Sequence, residues 1–277
     1  MKVRGKRCYL PLKIEDYEIK SPKLPVGFDG CRIVFLTDLH SNLHGKENEK
    51  LIQKIEEVNP DYIMCTGDMI VGRKNCDIYV AMELFEKLSK KWEIFYSLGN
   101  HEQKLLKYPE TCDTTFVEYI TGLKNLGIHV LDNETYTLRK GNDEIRITGI
   151  TVDYKYHYKI WRKIKMEASY IEEIAGMSAK DKFQLLLAHN PEHLEAYAKW
   201  GADLVLSGHI HGGIMILPRI GGVIAPSYEL FPKFDFGTFR EGNCEMVLSR
   251  GLGTHTINLR IFNNPEISCI TLKRGEK

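Results

Sequence analysis

Five short apolar runs along the chain each lead into a polar residue that can bind a metal ion or a phosphate group. The runs cover residues 33–36, 61–65, 93–97, 183–188 and 203–207. Runs of this length without regular polar alternation favour strands covered on both faces, as in a parallel sheet flanked by helices. Since ligands of open α/β sheets gather at the carboxyl ends of the strands, we expect the chemistry at that edge.

The segments that connect these runs have helical spacing. Residues 47–58 carry apolar side chains on one helical face, a second helical period starts at Ile78, and residues 114–125 form a third candidate helix that Gly127 would end. A helix is also expected after Pro191, which suits a first helical turn. Alternating strands and helices predict an α/β fold with parallel strands and right-handed crossovers.

Weaker strand signals fill the rest of the chain. They lie at residues 17–20, as an edge strand, and at residues 128–130, 136–139, 144–150, 244–249 and 267–272. No repeat, low-complexity tract or clear boundary interrupts the sequence, so residues 1–277 are expected to form one domain.

Residues 154–175 differ in texture, because Tyr, Lys and Glu dominate with scattered Ile and one Trp. Two interpretations stay open. The segment is a partly exposed helix or flap that borders the ligand-binding edge, or it is a plain amphipathic surface helix. The first predicts that changes there alter substrate preference, and the second predicts equal losses on every substrate.

Composition narrows the class of protein. The 38 basic and 37 acidic residues nearly cancel, so no global charge indicates nucleic acid or a membrane surface as a partner. The seven cysteines are widely spaced without a CxxC pair, which favours free thiols. No apolar stretch has the length of a signal-peptide core or a membrane span, so the sequence predicts a cytoplasmic protein.

Metal-ligand side chains follow the five apolar runs. They are Asp38, His40, Asp68, Asn100, His101, His189, His209 and His211. Oxygen and imidazole donors without thiolates suit Mn, Fe or Zn. Seven donors besides His101 exceed what one ion needs, and one shared carboxylate would complete two sites about 3.5–4 Å apart, the spacing used in phosphoryl transfer.

Other basic side chains give weaker signals. His44, near the first motif, is either a substrate contact or, as we favour, a solvent-facing loop histidine. Surface solvation is also the favoured interpretation for three possible phosphate-binding residues, Lys155, Lys159 and Arg219. No constellation surrounds the remaining histidines, His129, His157, His193 and His255.

The motifs resemble those of a known family. DLH at 38–40, GD at 67–68, GNHE at 99–102, His189 in AHNP and GHIHGG at 208–213 are similar to the motifs of calcineurin-like metallophosphoesterases. The resemblance covers roughly residues 30–215. It implies a four-layer α/β sandwich, in which helices flank two mixed β-sheets, around a dinuclear metal centre. The tail, at 249–253 and 262–267, resembles a bacterial phosphodiesterase branch.

The same resemblance implies roles for the individual residues. One ion would be held by Asp38, His40, Asp68 and His211, and the other by Asp68, Asn100, His189 and His209. Asp68 would bridge the ions. His101 would not bind metal but face the substrate. In that place it would stabilise the departing oxygen, with Asp68 or a neighbouring carboxylate as its possible orienter.

The function expected from this site is a metal-dependent phosphodiesterase that acts on a small phosphoester and activates water for in-line attack. A phosphomonoesterase or a pyrophosphate-bond hydrolase of a nucleotide-linked substrate is the enzymatic alternative, because the loops choose the substrate. A non-catalytic scaffold with this fold is the other alternative.

Overall fold

The structure, a computed structural model, describes residues 5–73, 76–107, 115–157, 164–213, 215–217, 221–223, 230–254 and 260–275. The helices are α1 (Glu49–Val58), α2 (Tyr79–Leu88), α3 (Asn100–Lys107), α4 (Thr115–Asn125), α5 (Ala168–Ala175) and α6 (Leu194–Trp200). The strands of the amino-terminal half are β1 (Lys6–Arg7), β2 (Lys13–Ser21), β3 (Arg32–Leu36), β4 (Asn42–Leu43), β5 (Tyr62–Cys65), β6 (Glu93–Ser97), β7 (His129–Leu131) and β8 (Glu134–Lys140). Those of the second half are β9 (Asp143–Ile150), β10 (Gln184–Ala188), β11 (Leu204–Ser207), β12 (Ile216–Leu217), β13 (Gly221–Gly222), β14 (Gly237–Glu241), β15 (Cys244–Leu248) and β16 (Glu266–Arg274).

Two six-stranded sheets organise these elements, with strand orders β2-β16-β3-β5-β6-β7 and β14-β15-β11-β10-β9-β8. In the first sheet, β3, β5, β6 and β7 are parallel. In the second, β9, β10, β11 and β15 are parallel. Both sheets also contain antiparallel pairs, so both are mixed as predicted. β2 is an edge strand, which confirms the interpretation of residues 17–20.

The side chains of the strands alternate between separate hydrophobic cores. On β3, Val34 and Leu36 pack with the helices α1, α2 and α4. Ile33 and Phe35 face the opposite way, into the core between the two sheets. A third core joins the far face of the second sheet to α5 and α6, where Trp200 is almost fully buried. Helix, sheet, sheet and helix therefore form the four layers that the resemblance implied.

Some sequence predictions need correction. The helix predicted over 47–58 begins at Glu49, because Glu47 and Asn48 adopt left-handed backbone angles that interrupt it. Helix α3, which begins within GNHE at Asn100, was not among the predicted helices. Within residues 154–175, one continuous helix is wrong: a short 3-10 turn spans Tyr154–Tyr156, residues 158–163 lie outside the described part, and the α-helix covers only Ala168–Ala175.

Two further features bear on the sequence predictions. The cysteines within the described segments, Cys8, Cys31, Cys65, Cys76, Cys244 and Cys269, are free thiols. Among the helices of the described residues, none combines the length and apolar character that crossing a membrane requires.

Candidate metal centre

The carboxyl ends of the parallel strands bring the predicted site residues into one place. Asp38 and His40 follow β3, Asp68 follows β5, and Asn100 and His101 begin α3 directly after β6. His189 follows β10, while His209 and His211 follow β11 in the other sheet. Both sheets therefore contribute to the site, which lies where their carboxyl edges meet.

Carboxylate and imidazole atoms approach closely at this point. His211 Nε2 lies 3.2 Å from Asp38 Oδ1, and His189 Nε2 lies 3.2 Å from Asp68 Oδ2. His40 Nε2 sits between the two carboxylates, 3.7 Å from Asp38 Oδ1 and 3.8 Å from Asp68 Oδ2.

Three overlapping groups have candidate ligand atoms within 4.8 Å of one another: Asp38 with His40 and His211, Asp68 with His189 and His209, and His40 with Asp68 and His101. The first two groups hold residues that the resemblance assigns to two different ions. The third includes His101, so distance alone does not separate His101 from the ligands.

Three buried polar atoms at the site show that its residues fit a cation. Asp38 Oδ1, Asn100 Oδ1 and His189 Nε2 have no hydrogen-bond partner within the described part of the chain. The Nε2 of His189 is near Asp68 but off hydrogen-bond geometry. Buried polar atoms are normally paired, and each unpaired one costs about 1–3 kcal/mol. A divalent cation would satisfy oxygen and imidazole donors of this kind.

The electrostatics of the cluster favour positive charge. Burial alone would raise the pKa of Asp38, but His211 and His189 lower that pKa well below its usual range. The pKa of Asp68 is likewise lowered, against its burial, by His189 and His101. Burial opposes protonation of His189, yet Asp68 and Asp38 raise its pKa to about 9. The field that stabilises an imidazolium here would stabilise a divalent cation more strongly.

Backbone strain is concentrated on the same residues. Left-handed φ angles occur at five of them: Asp38 (55°), His40 (48°), Asp68 (51°), His209 (76°) and His211 (56°). Such angles cost about 1–3 kcal/mol each in residues other than glycine and persist only where the surroundings enforce them. Hydrogen bonds from Asp38 N to Gly67 O and from His40 N to Asp68 O, both 3.0 Å, join the first two motif loops.

Two glycines allow these loops to approach one another. A Cβ on Gly67 would lie 1.9 Å from the backbone nitrogen of Gly99, so no side chain fits between the second and third motifs. A Cβ on Gly208 would lie 2.3 Å from Asp38 Oδ2. Glycine at both positions is therefore required by the close packing of backbone around the two carboxylates.

The backbone groups behind two histidines give them opposite roles. His189 Nδ1 lies 2.8 Å from the carbonyl oxygen of Thr66, to which it donates, so Nε2 can present a lone pair to a metal. His101 Nδ1 instead accepts a hydrogen bond of 2.8 Å from the backbone N–H of Gly72. The proton of neutral His101 is therefore on Nε2, which is then a donor and not a metal ligand.

A buried carboxylate behind the site was not singled out by the sequence. Glu102 is fully buried, and its two oxygens accept hydrogen bonds from the backbone nitrogens of Asp68, Met69 and Gly99 at 2.8, 3.0 and 3.1 Å, and from the hydroxyl of Tyr96 at 2.8 Å. It thereby ties the second motif to the third. Its place in GNHE is the only sequence signal that could have found it.

The carboxyl-terminal segment holds the last motif in a similar way. Asn263 Nδ2 donates to the carbonyl oxygens of His211 and Gly213 at 2.7 and 2.6 Å. Arg260 is buried and donates to the carbonyl oxygen of Arg250 at 2.7 Å. Its contact with His211 Nδ1, at 3.4 Å, is too long to fix that ring's tautomer. The contacts with His211 and Gly213 span about fifty residues of sequence, so local pattern does not reveal them.

Two other histidines differ from their predictions. His44 is buried, not solvent-facing, and its Nε2 bonds the carbonyl oxygen of Leu252 at 2.8 Å. His157, predicted to lack a constellation, is buried with its ring 6.0 Å from that of His209, and Gln103 Oε1 bonds its Nε2 at 2.8 Å. Burial lowers the pKa of both imidazoles to about 4.

The remaining candidates lie away from the metal-ligand cluster or beyond the described residues. His129 stacks on Phe95, and His193 bonds the carbonyl oxygen of Tyr156 at 3.0 Å. Lys155 lies over the rings of Tyr156 and Tyr170 and lines a cavity of about 230 Å³ that His157 also lines. The last three, Lys159, Arg219 and His255, lie outside the described residues.

Comparison with known proteins agrees with this site. The model of the calcineurin-like phosphoesterase family matches residues 31–213, a span that contains all five motifs. The metallophosphoesterase YkuE of Bacillus subtilis, itself called uncharacterized, is 28% identical over 95% of this chain and 86% of its own length. The phosphodiesterase YaeI of Escherichia coli is 26% identical over 87% of this chain and 82% of its own. The UDP-2,3-diacylglucosamine pyrophosphatase LpxG of Chlamydia muridarum is 24% identical over 94% of this chain and 88% of its own.

Proposed function

The chain belongs to the calcineurin-like phosphoesterase family and is a metal-dependent phosphoester hydrolase, and from this premise we propose that it is a phosphodiesterase with a dinuclear metal centre. The observation that carries the proposal is the set of buried polar atoms on Asp38, Asn100 and His189 that lack a hydrogen-bond partner among the described residues. Charges and donors in this number exceed what one ion requires.

The proposed ligand sets follow the two carboxylates. Asp38, His40, Asp68 and His211 would hold one ion, and Asp68, Asn100, His189 and His209 would hold the other, with Asp68 common to both sets. The oxygen and imidazole donors suit Mn, Fe or Zn. His101 is outside both sets, because a ligating Nε2 would need Nδ1 to carry the proton that Gly72 N–H excludes.

Two divalent ions, when bound, supply Lewis acidity that activates water for in-line attack on phosphorus and neutralises the phosphate oxygens. The residues of the chain supply position and hydrogen bonds. His101 directs its Nε2 proton into the cleft, where it donates to the departing oxygen. Asp68 Oδ1 accepts a hydrogen bond of 2.7 Å from the backbone N–H of His101 and so orients it. Glu102 holds the loop of Asp68 from behind.

A second candidate, a pyrophosphate-bond hydrolase, is favoured by one observation. LpxG, which is named as a pyrophosphatase, aligns with 94% of this chain. The same two ions can serve a diester or a pyrophosphate, since both reactions transfer a phosphoryl group to water. A non-catalytic scaffold is disfavoured, because such a protein would have no use for the whole ligand set together with His101.

One assay separates these functions. The purified protein with Mn²⁺ is expected to hydrolyse bis-p-nitrophenyl phosphate faster than p-nitrophenyl phosphate. Preference for the monoester would contradict the diesterase proposal, and faster cleavage of a UDP-sugar than of either ester would favour the pyrophosphatase. No hydrolysis of any of them would favour the scaffold. The single domain and the cytoplasmic location stay predictions.

A further inference from the structure

A cavity of about 570 Å³ opens beside the candidate metal centre. His40 and His101 form part of its wall, so the cavity continues the cleft on the His101 side. Lys6 of strand β1 and the segment 71–73 also line it. A substrate whose departing oxygen meets His101 would place the rest of its leaving part in this space.

Three cationic side chains from distant parts of the sequence line this cavity: Lys6 on β1, Arg73 after β5 and Lys104 on α3. All three are exposed, and none forms an ion pair within the described part of the chain. We call Lys6, Arg73 and Lys104 the cationic rim. Among the described residues, one carboxylate lines the same cavity: Asp77, which accepts a hydrogen bond from the backbone N–H of Tyr79 at 3.0 Å.

Backbone contacts fix where the rim residues stand. The backbone N–H of Lys6 donates to Ser41 O at 3.2 Å, which places Lys6 next to the DLH motif. The loop of Gly72 packs on α3 so closely that a Cβ on Gly72 would lie 3.1 Å from Lys104 Cβ. The same loop donates a hydrogen bond from Gly72 N to His101 Nδ1, so the loop that carries Arg73 is held against both His101 and Lys104.

The charge of this rim exceeds what a simple diester needs. Two divalent ions between two carboxylates would already leave net positive charge for the scissile phosphate. Three additional cations and, among the described residues, one carboxylate line the cavity that His40 and His101 also line. Unpaired Lys and Arg side chains that converge on a cavity are suited to bind a phosphate group.

We propose that the cationic rim binds a second phosphate group, carried by the leaving part of a small-molecule substrate. The substrate class is therefore a phosphoester or pyrophosphate with another phosphate beyond the scissile one. This inference rests on the proposed function, since it places the scissile phosphate at the two-carboxylate cluster.

Isothermal titration calorimetry on the full-length, Mn²⁺-loaded protein tests the inference without relying on turnover. The probes are methylphosphonate, with one anionic group, and methylenebisphosphonate, with two. Wild type is expected to bind the bisphosphonate more tightly. Combining Lys6→Gln, Arg73→Gln and Lys104→Gln is expected to reduce that preference by about tenfold or more, because each exposed ion pair contributes roughly two- to fivefold. For each probe, free Mn²⁺ is matched between wild type and the variants, so that chelation of Mn²⁺ by the probe affects every protein equally.

The matched control removes three charges from the opposite edge of the sheets. Lys20, Lys140 and Lys180 lie there, near the ends of β2 and β8 and before β10. Their combined change to Gln is expected to leave the preference unchanged, and 1 M salt should reduce it in wild type. The three single rim variants, each expected to lose part of the preference, keep the test valid if the triple variant does not fold.

The outcomes separate the two proposals. An unchanged preference in the rim variants overturns the inference, even if bis-p-nitrophenyl phosphate is hydrolysed. A preference that depends on the rim supports it, even if no diester is cleaved, in which case the proposed function fails alone. Decathymidylate that bound more tightly than the bisphosphonate, through the same three residues, would assign the rim to nucleic acid and contradict the small-molecule substrate.

Discussion

The two sides of the cleft present histidines whose Nδ1 atoms have opposite hydrogen-bond roles. On one side a backbone carbonyl, Thr66 O, accepts a hydrogen bond from His189 Nδ1, so that Nε2 can present a lone pair to a metal. On the other a backbone N–H, that of Gly72, donates to His101 Nδ1 and leaves the proton on Nε2. Both rings approach Asp68 Oδ2, at 3.2 and 4.0 Å. The backbone partner behind each ring, more than its distance from the carboxylate, therefore decides which histidine can bind a metal.

The largest expected effect comes from removing the carboxylate that both sides share. Asp68→Ala should lower kcat/KM for bis-p-nitrophenyl phosphate by more than about 10⁴-fold, because activation of water and neutralisation of phosphate both depend on the ions. Asp61→Ala, at the other end of β5, is the matched control and should retain activity. Full activity and full metal content in Asp68→Ala would show that the bridge assignment is wrong.

The next effect isolates the His101 side. His101→Asn should slow hydrolysis by about 10² to 10⁴-fold. Loss should be larger for an alkyl diester than for a p-nitrophenyl diester of similar shape, since p-nitrophenolate leaves with less help from a hydrogen-bond donor. His129→Asn, an imidazole stacked on Phe95 outside the site, controls for loss of a histidine. Equal losses of activity on both esters would show that His101 does not assist the departing oxygen.

Glu102→Gln tests the support behind both sides. A Gln amide nitrogen cannot accept the hydrogen bonds that one carboxylate oxygen of Glu102 now accepts, so metal affinity should fall by about 10- to 100-fold. Tyr96→Phe removes a single bond to Glu102 and should have a smaller effect. Titration with Mn²⁺ measures both. Equal affinity in Glu102→Gln and wild type would mean that the loop of Asp68 keeps its shape without this carboxylate.

The smallest expected effect is on substrate preference, and it comes from the segment after residue 153. Lys155 lines the 230 Å³ cavity that His157 also lines. Lys155→Ala should therefore change the ratio of the KM for a diester to the KM for a monoester by a few fold, which is about the contribution of one exposed charge. Lys180→Ala serves as the surface control. Equal changes on every substrate would support the plain surface helix over a segment that borders the cleft.

Much of the fold follows from sequence because its signals are local. An apolar run of four to six residues predicts a buried strand. The polar residue that follows the run then lies at the edge of the sheet. Asp38 after β3 and His189 after β10 are of this kind. The pairing of strands into two mixed sheets needed the family resemblance, since no local pattern states which strands are neighbours.

The parts that sequence missed depend on contacts between distant segments. His44 looked like a loop histidine, but a carbonyl 208 residues away buries it. His157 lies beside His209, and its Nε2 is hydrogen-bonded to the side chain of Gln103, 54 residues earlier. The tautomers of His101 and His189 depend on single backbone groups, which sequence does not place. The types of residue that gather at the candidate site could therefore be predicted, whereas the orientation of each ring could not.

Metal content in two single variants tests the central contrast most directly. Wild type, His101→Asn and His189→Asn would each be reconstituted with Mn²⁺, freed of excess ion and measured by elemental analysis. The account predicts two ions per chain in wild type and in His101→Asn, and about one or fewer in His189→Asn, because of these two rings only that of His189 can offer an Nε2 lone pair to a metal. Loss of an ion from His101→Asn, or fewer than one ion per chain in reconstituted wild type, would contradict it.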